Sequence, residues 1–241
     1  RIVAEVLALI ESELRPGVST GQLDRLAERH IRAAGAIPSF KGYLGGGRYG
    51  RSPKAFPAST CISIDSEVVH GIPGDRTIRD GALVSVDVGA ILAGWHGDAA
   101  RTFVVGDVSD EARGLVDATR LAMMAGIGAA AAGARVGDIS AAVEDVGRAG
   151  GYGIVRPFVG HGIGTEMHQE PQVPNYRTGS RGAELQPGMC LAIEPMFTLG
   201  SGDVFVEADG WTVNTSDGAL AAHFEHTIAV TDSGPEILTT V

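Results

Sequence analysis

Cysteine is scarce: Cys61 and Cys190 are the only two in 241 residues. They allow at most one bridge and offer no zinc-type spacing, which excludes a disulfide scaffold and a structural zinc module. Long apolar runs are missing too. The opening stretch 2–14 is interrupted by Glu5, Glu11 and Glu13, so it is neither a signal-peptide core nor a membrane span. Reduced thiols and a cytoplasmic setting are therefore expected. Positive charge is short: 19 Lys and Arg stand against 29 Asp and Glu, a net charge of −10. That balance disfavours non-specific nucleic-acid binding, and neither DNA nor a membrane is expected as a partner. No low-complexity tract occurs. Arg1 rather than Met opens the sequence, so further native residues are expected upstream.

What is present reads as an ordinary globular protein, with 44% hydrophobic and 20% charged residues. The length suits one large domain over 1–241 or two small halves. Residues 2–14 predict a helix, ended by Arg15-Pro16-Gly17. Ser19 caps a second helix with Gln22 in capping-box position, and Leu23, Leu26, Ala27 and Ile31 recur at helical spacing to Gly35. Residues 36–58, rich in Gly and Pro, predict a long loop. Residues 60–64 predict a strand, and 85–103 a pair of strands joined near Ala93-Gly94. Ser109 caps a helix running to about Ala132, and Asp138 caps another ended by Gly150-Gly151. This helix pair echoes the first, which predicts two similar halves. Strands are expected at 189–197, 211–213 and 222–230. Helices and strands in separate blocks favour an α+β layout.

Chemistry gathers at acids placed where acids are rare. Val84, Val86 and Val88 alternate with Ser85, Asp87 and Gly89, so Asp87 sits within a strand, and Asp98 follows on the return strand. Two carboxylates there repel unless a positive charge lies between them. The alternative is one solvent-facing Asp and one turn Asp. Glu194 ends the apolar run Ala192-Ile193, and Glu225 lies inside the last strand. Each alone suits an ion pair as well as a ligand. His161 stands among glycines in Gly160–Gly164, with His168 seven residues on. Taken together, Asp87, Asp98, His161, Glu194 and Glu225 form a hard, oxygen-rich set. It suits two divalent ions, with Co, Mn, Fe or Zn all compatible.

These five residues, in this order, resemble the metal ligands of the type I methionine aminopeptidases. Cys61-Ile62-Ser63-Ile64, Val68-Val69-His70-Gly71-Ile72-Pro73, Gly97-Asp98, Asp209-Gly210-Trp211-Thr212-Val213 and Phe224-Glu225-His226-Thr227 match as well. The likeness covers nearly the whole chain. It implies the pita-bread fold, with two pseudo-symmetric halves of antiparallel sheet covered by helices. It implies a metallo-aminopeptidase that removes the initiator methionine from nascent polypeptides and Met-peptides by metal-activated attack of water. In such an enzyme Asp87 would hold one ion, Asp98 and Glu225 would bridge both, and His161 and Glu194 would complete the other site. Glu194 would carry the proton to the leaving amine, His168 would donate to the oxyanion, and His70 would contact the scissile amide. Phe56, Cys61, Met167, Trp211 and His70 would line the methionine pocket, joined by Tyr43. For Met167 and Trp211 the alternative is plain core filling. His96 and His226 would either orient neighbouring ligands or be ordinary hydrogen-bonded strand residues. A monomer that meets the ribosome transiently is expected.

Two features depart from the family pattern. Gln169 stands where glutamate is usual. The stretch 44–55 is long and carries Arg48, Arg51 and Lys54 without an acid. It reads as a solvated loop, or as a cover for the pocket mouth or a contact to ribosomal RNA. Only 31 positions separate Glu194 from Glu225, too few for the insertion of type II relatives. Aminopeptidase P and prolidase share the fold and ligands but normally carry a preceding domain. With a helix expected from residue 2, such a domain is not expected unless residues upstream of Arg1 carry it. A third alternative is an inactive pita-bread binding module, which would typically have lost ligands.

Overall fold

Strand alternation divides this molecule into a helix-covered face and a site face. The computed structural model describes residues 1–45 and 54–241. Among them are four helices, α1 (Ile2–Glu13), α2 (Thr20–Ala33), α3 (Asp110–Gly128) and α4 (Val136–Gly150). The first strands are β1 (Ile37–Pro38), β2 (Thr60–Ile64), β3 (Glu67–Val69), β4 (Ala82–Leu92) and β5 (Trp95–Val105). After the second helix pair come β6 (Gly153–Ile154), β7 (Gly160–Gly162), β8 (Gln169–Val173), β9 (Cys190–Ile193) and β10 (Met196–Thr198). The chain closes with β11 (Val204–Val206), β12 (Val213–Thr215), β13 (Ala221–His223), β14 (Glu225–Thr231) and β15 (Gly234–Ile237).

The main sheet runs β1-β4-β5-β14-β9-β7-β8, with β15 on β14 and β2 on β4. Two three-stranded sheets, β13-β10-β6 and β11-β12-β3, complete the layout. On β4, Val84, Val86 and Val88 pack with Val6, Ile10, Leu23 and Ile31 of α1 and α2. On β9 and β14, Leu191, Ile193, Ile228 and Val230 pack with Leu115, Met123, Ile139 and Val143 of α3 and α4. Each helix pair thus covers its own core on the same side of the sheet. The residues between these apolar positions face the other way. This is the α+β, two-halved pita-bread arrangement that the sequence predicted.

Local chemistry explains the elements. Ser19 and Gln22 form the expected capping box on α2. Ala93 (φ 51°) and Gly94 (φ 84°) make the turn between β4 and β5, where two left-handed residues match the strand twist. The buried Asp24 carboxylate of α2 accepts the N–H groups of Ser59 and Thr60, both at 2.9 Å, and the Thr60 hydroxyl at 2.8 Å. It thereby fixes the start of β2.

Several boundaries differ from expectation. α3 ends at Gly128, not Ala132, because residues 129–133 turn back towards α4. α4 begins at Val136, so Asp138 is not its cap; its carboxylate instead reaches back 2.8 Å to the Arg135 N–H. The expected strand 189–197 is two strands in two sheets, β9 and β10, broken at Glu194-Pro195 where proline has no N–H for the ladder. The expected strand 222–230 is likewise two, β13 and β14, divided at Phe224. Trp211 precedes β12 instead of lying in it, held in a turn by the Asp209 carboxylate 2.7 Å from its N–H. Within the expected loop 36–58 the structure adds the short strand β1. Arg48 and Arg51 of the basic 44–55 stretch lie outside the described residues. Among the described residues no helix is long and apolar enough to cross a membrane.

Candidate metal centre

Register brings the acids together. Asp87 on β4 pairs with Cys61 of β2 on one side and Ala100 of β5 on the other. Ala100 pairs with Glu225 of β14. His226 pairs with Ile193 of β9, so Glu194, one residue on, lies across from Glu225. One row across four strands therefore reads Asp87, Ala100, Glu225, Glu194. Two residues away along the strands, Asp98 pairs with Gly89, and His161 of β7 pairs with Ala192. Positions two apart share a face, so all five predicted residues point to the same side. They come from opposite halves of the chain and meet at its middle.

The site is built for a cation. Asp98, His161 and Glu225 are buried, and their ligand atoms lie within 4.8 Å of one another. Glu194, His223 and Glu225 form a second such group. Asp87 belongs to neither group, yet its Oδ1 shares the condition of Asp98 Oδ1 and Glu225 Oε1: buried, with no hydrogen-bond partner. Burial pushes the carboxyls of Asp87 and Glu194 up to about 7. It raises those of Asp98 and Glu225 well above the usual range, with neighbouring acids adding to both shifts. Four crowded carboxyls, three of them with an orphaned oxygen, are costly unless positive charge is shared among them. His161 donates Nδ1–H to the Gly162 carbonyl at 2.9 Å. That turns its Nε2 towards the acids, 3.4 Å from Glu194 Oε1. The donor set, four carboxylates and imidazole without sulfur, fits divalent ions of the Mn-to-Zn series.

Around this centre the structure gathers the other predicted residues. A cavity of about 840 Å³ is lined by Tyr43, Phe56, Cys61, His70, Met167, His168 and Trp211 together with Asp87, Asp98, His161, Glu194 and Glu225. Phe56, Cys61 and Met167 form an apolar cluster with Phe40 and Ile163, against which Tyr43 and Trp211 pack. The Phe56 and Trp211 rings meet edge to face at 5.2 Å, and the Trp211 indole N–H donates to the Lys54 carbonyl at 2.9 Å. His70 holds a left-handed backbone, φ 60°, rare outside glycine, and its ring stands edge-on to Phe158 at 5.5 Å and Trp211 at 6.2 Å. Beside it, Gly71 is required: a Cβ there would sit 2.3 Å from the Ile62 carbonyl oxygen. Gly162 is required for the same reason, against the Glu170 carbonyl at 2.3 Å. Burial pushes His70 down to about 4. His168 falls to about 3, through burial and then the neighbouring histidines. Its Nδ1 is 2.6 Å from the Tyr43 hydroxyl.

Both alternatives stay open for His96 and His226, which lie on β5 and β14 beside the ligands. His96 Nδ1 meets the Ser39 hydroxyl at 3.0 Å, and His226 Nδ1 meets that of Thr239 at 2.7 Å. Gln169 pairs with Gly162 and borders the cavity. Sequence reasoning missed Phe40, Phe158, Ile163 and, above all, His223. Its signal was the spacing His223–Phe224–Glu225, which puts an imidazole two residues from an acid.

Comparison with known proteins follows the same line. Metallopeptidase family M24 matches residues 1–232. A methionine aminopeptidase of Clostridium acetobutylicum is 50% identical over 99% of this chain and 92% of its own length. The crystal structure of a methionine aminopeptidase from Rickettsia prowazekii superposes with a TM-score of 0.92 at 40% identity, covering 99% of this chain and 93% of that one. An Xaa-Pro dipeptidase from Bacillus anthracis shares the fold, with a TM-score of 0.75 at 24% identity over 100% of this chain and 58% of its own.

Proposed function

The chain belongs to metallopeptidase family M24, and from that premise we propose that it is an aminopeptidase removing N-terminal methionine from nascent polypeptides and Met-peptides in the cytoplasm. Asp87, Asp98, His161, Glu194 and Glu225 would hold two divalent ions. Bound there, the ions supply Lewis-acid activation of water and of the scissile carbonyl. The apolar wall of Phe56, Cys61, Met167 and Trp211 takes the methionine side chain, whose flexible thioether packs well on rings and sulfur. The same wall excludes bulk water from the scissile bond. The carboxylates beside it receive the free α-amine, so only the first residue is removed. Glu194 takes the proton from attacking water at a carboxylate oxygen and passes it to the leaving amine. His168 donates to the carbonyl oxygen as negative charge develops there. His70 touches the scissile amide. The enzyme acts as a monomer, in transient contact with the ribosome.

The single observation that supports this reading most is the convergence of five ligand-type side chains on one sheet face, with buried carboxylate oxygens left unpartnered. The test is release of methionine from Met-Ala-Ser after loading with Co, Mn, Fe or Zn, set against Xaa-Pro peptides. Methionine release is expected with at least one metal, and Asp98→Asn or Glu225→Gln should abolish it. Near-full turnover in either variant, or preference for Xaa-Pro, overturns the reading.

A further inference from the structure

One buried side chain in the cavity is not used by the reading above. His223 ends β13, and its backbone is gripped by one hydroxyl: Thr102 Oγ1 accepts the His223 N–H at 2.8 Å and donates to its carbonyl at 2.9 Å. The Ser85 hydroxyl backs Thr102 at 2.8 Å. The ring is 2% exposed and borders the cavity, and its Nε2 is buried without a hydrogen-bond partner. That nitrogen stands 3.7 Å from Glu194 Oε2, while His161 Nε2 stands 3.4 Å from Glu194 Oε1. Glu194 is thus flanked by two imidazoles, one at each oxygen.

Neither spacing is a good hydrogen bond, which for N–H···O has a usual range of about 2.7–3.2 Å. Two ligand atoms each about 2.1 Å from one ion stand about 3.0–3.5 Å apart, close to both values. The two groups of ligand atoms also share a plan. Asp98–His161–Glu225 and Glu194–His223–Glu225 have Glu225 in common and contain one imidazole each. Most buried polar atoms are hydrogen-bonded, and the orphaned Nε2 lies among the orphaned oxygens of Asp87, Asp98 and Glu225.

We propose that His223 is a metal ligand, its Nε2 acting with Glu194 and Glu225. This rests on the two-ion reading above and extends it. A further imidazole in the shell favours Co, Fe and Zn over Mn at that position. The full-length chain titrated with Co(II) tests the idea by bound stoichiometry, affinity and the visible spectrum. The wild type should bind two ions. His223→Gln and His223→Ala should retain one and bind the second at least about tenfold more weakly, since even groups that merely orient a ligand contribute about 10–100-fold. The second ion's absorption band should change with them. A His223→Gln protein that binds both ions as tightly as the wild type, with the same spectrum, overturns the proposal. Ring 15N NMR of the wild type during Zn(II) titration needs no variant to fold. Metal-bound shifts at Nε2 of both His161 and His223 support the proposal, and a shift at His161 alone rejects it. A wild type that binds no metal at all would instead overturn the two-ion reading itself.

Discussion

The Tyr43 hydroxyl lies 2.6 Å from His168 Nδ1, a contact that, with the phenol as donor, selects the tautomer of that ring. Burial drives His168 down to about 3, so at neutral pH it has one N–H and not two. A phenol donating to Nδ1 leaves the proton on Nε2 and makes that atom the ring's donor. Tyr43, expected from the sequence as pocket lining, is therefore also a positioning residue. His168→Ala should lower kcat by about 10²–10³-fold, the usual loss for one oxyanion donor. Tyr43→Phe keeps the ring and removes the hydroxyl, so kcat should fall about tenfold, or about 1.4 kcal/mol, with KM little changed. Steady-state kinetics on Met-Ala-Ser separates the two parameters. A His168→Ala effect confined to KM would refute the donor role, and an unchanged Tyr43→Phe enzyme would refute the tautomer argument.

Strands bearing site residues part slightly at the site, and threonine hydroxyls fill the break. Thr227 Oγ1 accepts the Asp98 N–H at 3.0 Å and donates to the Asp98 carbonyl at 2.7 Å, in place of a backbone pair between β14 and β5. Thr102 does the same for His223. Thr227→Val preserves shape but orphans two buried backbone groups, each costing about 1–3 kcal/mol. Urea unfolding should show a loss of about 2–6 kcal/mol. Thr119→Val is the control: its hydroxyl, 2.8 Å from the Leu115 carbonyl within α3, leaves that carbonyl its helical partner. Equal losses in the two variants would contradict the bridging role. Such bridges were not legible in the sequence, since a strand threonine reads as ordinary β-propensity. The caps at Ser19 and Ser109, the β4–β5 hairpin and the valine alternation were legible, because each depends on neighbours in sequence. The breaks at Glu194-Pro195 and Phe224 were not: an apolar run shows period but not which sheet each part joins. His223 was missed for that reason, reading as one residue of a continuous strand two positions before an acid.

At the scale of the whole chain, two separate cores share one site. The core beneath α1 and α2 carries Asp87 and Asp98, and the core beneath α3 and α4 carries His161, Glu194 and Glu225. The group Asp98–His161–Glu225 draws its ligand atoms from both halves, so a cation bound there ties the halves by their most crowded like charges. Ligand binding to the folded state alone adds about 2.7 kcal/mol at a hundredfold excess over Kd. For a chain of this size each kcal/mol moves Tm by about 2–4 °C. Chelation should therefore lower Tm by roughly 5–10 °C in scanning calorimetry, as a single transition. Asp98→Asn, which removes an acid placed between the two halves, should lose most of that response whatever its own Tm. Two transitions after chelation would mean that the halves melt independently. An unchanged Tm in protein stripped of its metal would mean that the acids at the middle are balanced by something other than a cation.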